Sequence, residues 1–136
     1  MKIVLDEGAY EPIRAHEADA GLDLLSPYCF ILDAHSSIVI DTGVHIELPK
    51  STVGMLKSKS GLNIKHGIIG DGTIDEGYTG SIRVKLYNLS DRPYNIMRGD
   101  KIIQLVIMPI LRPQIEVVDR LEETERGENG FGSTGR

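Results

Sequence analysis

Residues 81–88 read SIRVKLYN, and from residue 82 to residue 87 their side chains alternate between apolar and polar. The apolar positions are Ile82, Val84 and Leu86, and the polar positions are Arg83, Lys85 and Tyr87. Because successive side chains of a β-strand point to opposite faces, this pattern predicts a half-buried strand. The segment VHIELP (44–49) repeats the alternation, whereas helical periodicity is almost absent from the chain.

Other strand-like runs lie on both sides of this segment, separated by turn signals. They are SSIVI (36–40), VGMLKS (53–58) and KIIQLVIMPIL (101–111), with turns at LPKS, GDGT, LSDRP and MRGD. The last run is nearly all apolar, which predicts a central strand that is buried on both faces and ends near Pro109. Only SGLNIKHG (60–67) could form a turn or two of helix, with Ser60 as its cap. The chain is therefore predicted to be an all-β sandwich or barrel.

The composition narrows the class of protein. With 136 residues and a single cysteine, Cys29, the chain is predicted to be one domain without an internal disulfide, in a reducing compartment. The start MKIVLDEGAY lacks the apolar core of a signal peptide, and no apolar run reaches membrane-spanning length. A formal net charge of −5 without a basic stripe argues against a nucleic-acid duplex as partner. We therefore expect a soluble, cytoplasmic protein that binds neither membranes nor nucleic acids.

The segment GFGSTG (130–135) matches the spacing of phosphate-binding glycine loops. In dinucleotide-binding folds such a loop precedes a helix, and no helix is expected in the one residue that follows here. A frayed tail of small residues is the simple interpretation. However, Phe131 and the upstream Arg126 add an aromatic face and a guanidinium group, which suit a ligand with a flat ring and phosphates. We interpret this segment as a candidate nucleotide-binding arm.

Four other stretches combine glycine with polar side chains. They are AGLDLLS (20–26), KSKSGLNIKHG (57–67), GDGTIDEGYTG (70–80) and RGDKIIQLV (98–106). Their purely structural interpretations are a bulge glycine with an exposed Asp23, a capped turn at Ser60, a hairpin tip at Asp75, and a buried Gln104 bonded to backbone. Alternatively, a carboxylate at Asp75 with apolar and aromatic neighbours could activate a water if it lies in a cleft.

The order of these stretches resembles the five motifs of the homotrimeric dUTP pyrophosphatase (dUTPase) family. The matching segments are AGLDL (20–24), SKSGL (58–62), TIDEGYTGSI (73–82), RGDKIIQLV (98–106) and RGENGFGSTG (126–135). The resemblance implies a jelly-roll-like β fold, a homotrimer with active sites shared between subunits, and hydrolysis of dUTP to dUMP and pyrophosphate with Mg²⁺. It also implies a β-barrel catalytic domain over residues 1–121 and an arm over residues 122–136 that closes over the active site.

The resemblance further implies a role for each matching residue. Asp75 would orient a water for attack on the α-phosphorus, and Ser60 and Gln104 would complete the catalytic set. Asp23 would bind Mg²⁺ through the water ligands of the metal. The residues implied to bind substrate are Lys59, Gly61, Gly72, Thr73, Ile74, Tyr78, Arg83, Arg126, Phe131, Gly132, Ser133 and Thr134.

Within that set, the resemblance assigns different parts of the nucleotide to different segments. Backbone groups of residues 72–74 would read the uracil, and Tyr78 would lie under the deoxyribose, leaving no room for a 2′-hydroxyl group. Phe131 would stack on the base. Gly61, together with Arg126 and the amides of the final glycine loop, would contact the phosphates.

Four positions depart from the family pattern. Lys59 and Lys101 stand where arginine is usual, Asn129 stands where glycine is usual, and Ile103 stands where a small residue is common. Because lysine cannot form the bidentate fork of arginine, the contact of Lys59 with phosphate is expected to be looser. The hairpin HGIIGDGTID (66–75) is also slightly shorter than in many relatives.

Three alternatives stay open at this point. A dCTP deaminase shares the fold, but its catalytic glutamate signature and arginine-rich second motif are not evident in this chain. A non-catalytic dUTP-binding regulator would switch a protein partner through the arm. A purely structural β-sandwich would leave the order of the five motifs unexplained.

Overall fold

The computed structural model describes residues 1–128, which contain ten β-strands and one short helix. The strands are β1 (Lys2–Leu5), β2 (Gly21–Leu25), β3 (Phe30–Leu32), β4 (Ser37–Asp41), β5 (Val44–Glu47), β6 (Thr52–Ser58), β7 (Ile68–Ile74), β8 (Arg83–Asn88), β9 (Tyr94–Ile96) and β10 (Lys101–Pro109). The helix α1 (Ser60–His66) lies between β6 and β7. The predicted all-β class is therefore confirmed.

The strands form three antiparallel sheets around one core. A six-stranded sheet has the order β2-β10-β6-β7-β8-β4, and the pairs β1-β5 and β3-β9 form two small sheets. One apolar cluster receives side chains from all three sheets, including Leu24 of β2, Leu32 of β3 and Val44 of β5. Because the sheets share this core, the fold is the predicted jelly-roll-like sandwich or barrel.

The two patterns that predicted strands most clearly are confirmed. Along β8, exposed and buried side chains alternate residue by residue, and Ile82 just before the strand is fully buried. Strand β10 occupies an interior position between β2 and β6. Its first half has buried residues on both faces, whereas Met108 and Pro109 at its end are exposed. The prediction of burial on both faces therefore holds for the first half of β10.

The helix begins differently from the prediction. Its N-cap is Lys59, whose backbone is extended and whose side chain makes no capping hydrogen bond, and Ser60 is the first helical residue. The predicted capping role of Ser60 is therefore wrong by one position. The C-terminal signal behaves as expected, since Gly67 adopts a left-handed conformation with φ of 65° and its N–H bonds to the carbonyl of Asn63.

Regular structure ends at Pro109, and residues 110–128 form neither helix nor strand. Leu111, Ile115 and Val117 in this segment are each more than 90% exposed. Burying such a side chain contributes about 1.5–3 kcal/mol of stability. A single chain gains none of this from these three side chains, because they stay exposed to solvent. The domain boundary at residue 121 stays a prediction. Within residues 1–128, no helix is long and apolar enough to cross a bilayer.

Candidate active site

Asp23 and Gln104 face each other across two neighbouring strands. Asp23 of β2 lies directly opposite Gln104 of β10, which places both side chains on the same face of the sheet. Asp23 is buried, and its two carboxylate oxygens contact the ammonium groups of Lys59 and Lys101, the latter at 2.9 Å. The alternative of an exposed aspartate is therefore wrong. We call Asp23, Lys59, Lys101 and Gln104 the lysine cluster.

The lysine cluster carries a net positive charge. Burial raises the pKa of Asp23, but hydrogen bonds and charge from Lys59 and Lys101 outweigh burial and hold the pKa below its usual range. Asp23 is therefore ionised at neutral pH, and two ammonium groups surround one carboxylate. The side chains of Lys59 and Lys101 are 21% and 39% exposed, so both remain within reach of solvent. The lysine cluster therefore concentrates positive charge on a chain whose formal net charge is −5.

Gln104 and the start of α1 complete this side. The Gln104 side chain packs on the backbone of Gly21, where an added Cβ would lie 3.2 Å from the Cβ of Gln104. Its amide forms no hydrogen bond within residues 1–128, contrary to the structural interpretation of a backbone-bonded glutamine. Ser60 and Gly61 follow Lys59 directly, and Gly61 has open space where a side chain would be. The Gln104 amide, the Ser60 hydroxyl and the Gly61 backbone are therefore available to form hydrogen bonds with a ligand.

Asp75 lies in a separate loop, residues 75–82, which we call the Asp75 loop. Asp75 is exposed and begins a tight turn, in which the Tyr78 N–H donates to the Asp75 carbonyl at 3.1 Å. The Tyr78 ring lies against Gly80, where an added Cβ would come within 2.5 Å of the phenol oxygen. The Tyr78 hydroxyl donates to the carbonyl of Ser81 at 3.0 Å. The ring is therefore held by its own loop, and a side chain at position 80 would have to displace the Tyr78 phenol.

Residues 72–74 form one edge of β7 beside this loop. On one side they pair with β6, from Gly72 opposite Leu56 to Ile74 opposite Gly54. On the other side the ladder with β8 covers only 68–70. Within the described part of the chain, the outer backbone groups of residues 72–74 therefore have no strand partner. This edge can pair with the polar edge of a flat ligand, as an added strand would.

Arg83 stands where the Asp75 loop enters β8. Its side chain is exposed and forms an ion pair with Asp41 at 3.3 Å, and Ser81 donates a hydrogen bond to the same carboxylate. These contacts, with partial opposition from burial, lower the pKa of Asp41. Asp41 therefore orients Arg83 and one end of the Asp75 loop. No local sequence pattern indicated a role for Asp41, since its partners Ser81 and Arg83 lie 40 and 42 residues away.

His45 on β5 holds the middle of the Asp75 loop. Its Nδ1 lies 2.8 Å from the carbonyl of Thr79, and its Nε2 lies 3.2 Å from a carboxylate oxygen of Asp6. Both neighbours accept hydrogen bonds, so the doubly protonated imidazolium satisfies both, whereas neutral imidazole can donate only one. The contacts with Thr79 and Asp6 accordingly raise the pKa of His45.

We expect replacement of His45 by glutamine to lower thermal stability most at low pH. A pKa raised in the folded state gives stability that is fully present below about pH 6.5 and is lost as pH rises through the folded-state pKa. The gap in melting temperature between wild type and His45→Gln should therefore shrink from pH 5.5 to pH 8.5. His16→Gln, which removes an exposed histidine whose side chain forms no ion pair within residues 1–128, serves as the control. A gap that widens with pH would contradict this assignment.

The lysine cluster and the Asp75 loop lie apart in a single chain. Ser58, next to Lys59, and Gly54, opposite Ile74, are four residues apart on β6, which corresponds to about 13 Å of extended strand. The structure thus divides the predicted site residues into two groups. Arg126 lies in the exposed segment after β10, and Phe131, Gly132, Ser133 and Thr134 lie outside the described residues.

Asp23 is the carboxylate of the lysine cluster that a hydrated divalent metal would contact. Within residues 1–128, no three His, Cys, Asp or Glu side chains are grouped to hold an ion. Mg²⁺ usually keeps several waters and binds through one or two carboxylates and substrate phosphates. The Asp23 carboxylate has about four acceptor sites, of which the two lysines occupy two. The residues therefore fit a hydrated Mg²⁺ carried by a polyphosphate.

Known proteins are similar to this chain in sequence and in fold. Residues 9–135 match the dUTPase protein-family model. The chain is 46% identical to the deoxyuridine 5′-triphosphate nucleotidohydrolase of Clostridium novyi (strain NT), with 99% of each chain covered. The solved dUTPase of Staphylococcus bacteriophage 80alpha with dUPNHPP is similar at a TM-score of 0.93 and 32% identity, covering 99% of this chain and 98% of that chain.

A second solved structure is relevant to the metal. It is a mutant dUTPase from phage phi11 of S. aureus that coordinates a structural Mg(II) ion, and it matches with a TM-score of 0.82 and 31% identity over 90% of this chain and 98% of that chain. Together with the full-length match to the Clostridium novyi relative, these similarities extend over the whole fold rather than a single motif. The chain belongs to the dUTPase family.

Proposed function

We propose that this protein hydrolyses dUTP to dUMP and pyrophosphate. The observation that carries the proposal is the division of the site into two complementary groups. The lysine cluster offers positive charge, and the Asp75 loop offers an exposed carboxylate beside an open strand edge and an aromatic ring. A nucleoside triphosphate needs all of these, because its base, sugar and phosphates make different chemical demands.

The reaction requires little covalent chemistry from the protein. Asp75 accepts a proton from a water as the water oxygen forms a bond to the α-phosphorus and the bond to the pyrophosphate oxygen breaks. Gln104, whose amide has no partner within residues 1–128, is suited to orient that water or a phosphate oxygen. Lys59, Ser60 and Gly61 bind the phosphates. Positioning and electrostatic stabilisation supply most of the rate in such a displacement.

Mg²⁺ carried by the triphosphate would be held by Asp23 through its waters and would neutralise phosphate oxygens during the displacement. Two features of this chain support that placement. Asp23 is ionised, and Lys59 and Lys101 hold its oxygens in fixed positions. Its neighbour Gln104 lies on the same face.

Selection of uracil and deoxyribose is assigned to the second group. The open edge of Gly72, Thr73 and Ile74 can pair with the polar edge of the base. Tyr78, which packs against Gly80, is proposed to lie under the deoxyribose and to leave no space for a 2′-hydroxyl group. Arg83, oriented by Asp41, adds positive charge at the end of the same loop.

The active site is proposed to form between the subunits of a homotrimer. In this proposal each nucleotide takes the lysine cluster from one chain and the Asp75 loop from another, since β6 separates the two groups within a single chain. The exposed apolar side chains of Leu111, Ile115 and Val117 support burial against another copy. Beyond them, Arg126 and Phe131 would close over the bound nucleotide, within an arm that covers residues 122–136. A cytoplasmic location belongs to this proposal and is supported by the single cysteine, Cys29.

A product assay tests the proposed reaction. The purified protein is expected to release pyrophosphate from dUTP, far more slowly from dTTP, UTP and dCTP, and to need Mg²⁺ for this release. The open edge gives the reason for rejecting cytosine, and Tyr78 gives the reason for rejecting the 2′-hydroxyl group of UTP. Slow release from dTTP requires in addition that the base pocket exclude the 5-methyl group of thymine. Pyrophosphate and ammonia are measured in parallel, with and without Mg²⁺. Ammonia from dCTP would instead identify a deaminase, and no product from any of the four would refute the proposal.

A further inference from the structure

Glu76 joins three separate segments of the chain. One of its carboxylate oxygens accepts a hydrogen bond from the Ser51 N–H at 2.8 Å and another from the Arg112 guanidinium at 2.7 Å. The side chain is 25% exposed, so this ion pair is partly shielded from water. Glu76 follows Asp75 directly, which places both contacts beside the proposed water-orienting carboxylate.

Ser51 strengthens the connection between these segments. Its carbonyl accepts a hydrogen bond from the Ile110 N–H at 3.0 Å, so one residue contacts both the Asp75 loop and the chain leaving β10. Ser51 also has a φ of 59°, a left-handed conformation that costs a non-glycine residue free energy. Such a conformation persists when surrounding contacts determine it, and the bond to Glu76 is one of these contacts.

Arg112 lies near the start of the exposed C-terminal segment, residues 110–128. It is two residues beyond Ile110, and the chain from there to residue 128 has no regular structure. The guanidinium of Arg112 and the N–H of Ser51 lower the pKa of Glu76, so its carboxylate is charged at neutral pH. The position of the Asp75 loop is therefore linked to the direction in which the C-terminal segment leaves the barrel.

We propose that Glu76 is a positioning residue that fixes Asp75 by tying its loop to Ser51 and to Arg112. This inference rests on the proposed dUTP hydrolysis. Neither contact uses a group assigned to the nucleotide, so Glu76 acts through Asp75 and not on the substrate. A displacement of about 1 Å at a catalytic group can cost up to a hundredfold in rate, which makes such a tie important for turnover.

The two contacts can be separated by mutation. Glu76→Gln keeps an acceptor for the Ser51 N–H and removes the charge that pairs with Arg112, whereas Glu76→Ala removes both. We expect kcat for dUTP to fall about threefold in Glu76→Gln and about tenfold or more in Glu76→Ala, with KM changed less than about twofold. Arg112→Gln should lower kcat as much as Glu76→Gln does. The double variant Glu76→Gln/Arg112→Gln should lose no more kcat than either of these single variants.

Glu47→Gln is the matched control, because Glu47 forms a comparable surface ion pair with Lys2 in the β1-β5 sheet. Melting temperatures are measured for every variant. An unchanged kcat in Glu76→Ala, beside an active wild type, would overturn the positioning role alone. The positioning role would also be overturned if Glu76→Ala were partly unfolded and its kcat fell only in proportion to the unfolded fraction. An increase in KM without a fall in kcat would overturn it as well. A wild type that releases no pyrophosphate from dUTP would overturn both this inference and the proposed function.

Discussion

Replacing Asp75 by asparagine is expected to lower kcat for dUTP hydrolysis by about 10²–10⁴-fold, the range associated with loss of a general base. Asparagine keeps the shape of the side chain and can still hold a water, but it cannot accept the proton. Nucleotide affinity should survive, because the proposed contacts with phosphates, sugar and base come from other residues. Pyrophosphate release gives kcat, and calorimetric titration with dUTP gives the affinity of the variant.

Asp91→Asn is a suitable control for this experiment, since Asp91 is exposed and pairs with His35 away from the Asp75 loop. It should retain full turnover. Turnover by Asp75→Asn within a few-fold of wild type would remove Asp75 from its proposed role. Complete loss of nucleotide binding would instead assign Asp75 to the binding of substrate.

The same variant tests whether sites are shared between chains. Ser60→Ala should also be impaired, and Ser60 lies at the other end of β6 from Asp75. If each site takes Asp75 from one chain and Ser60 from another, random mixing of the two variants restores about one quarter of the sites. Activity is measured after the variants are unfolded and refolded together. No recovery in the mixture would place both residues in one chain's site.

Ending the chain after Glu125 is expected to lower kcat by about a hundredfold or more while leaving the fold intact. The deletion removes Arg126 and the glycine loop, which are proposed to close over the phosphates and exclude water; loss of even one such preorganised donor commonly costs about 10²–10³-fold. The core is untouched, because regular structure ends at Pro109. Circular dichroism and light scattering test the fold and the assembly, and pyrophosphate release tests turnover.

A chain that lacks only Arg136 provides the control for this truncation. It keeps every residue of the arm to which a contact with the nucleotide is assigned, and it should remain fully active. Full activity of the chain that ends at Glu125 would refute the proposed lid. Loss of the native circular dichroism spectrum would show that the segment serves the fold, and the lid would again be the wrong explanation.

The strands were predictable from local sequence because their signals are local. Alternation in β8 and the apolar run of β10 reflect which side chains face the core, and a few neighbouring residues suffice to show it. The start of α1 was off by one residue, since Lys59 takes the extended conformation of a cap without a capping side chain. Helix ends depend on such backbone details, which residue types specify only weakly.

The candidate site was predictable as a set of residues but not as a geometry. The resemblance placed Asp23 and Lys59 in separate motifs, and only the pairing of β10 with β2 on one side and β6 on the other brings them together with Lys101. The roles of His45 and Glu76 carried no sequence signal, because their partners lie 25 to 39 residues away. Contacts of this kind arise from the topology, so they become visible when the strand order is known.

The length of β6 has a consequence for how this protein responds to dilution. A paired strand in the middle of a sheet is stiff, so no bending of one chain brings the lysine cluster to the Asp75 loop. If only the assembled trimer is active, turnover per chain falls once the protein concentration drops below the value at which half of the trimers dissociate. Substitutions in the subunit interfaces, far from any nucleotide, would then abolish activity at low protein concentration and leave it unchanged at high protein concentration.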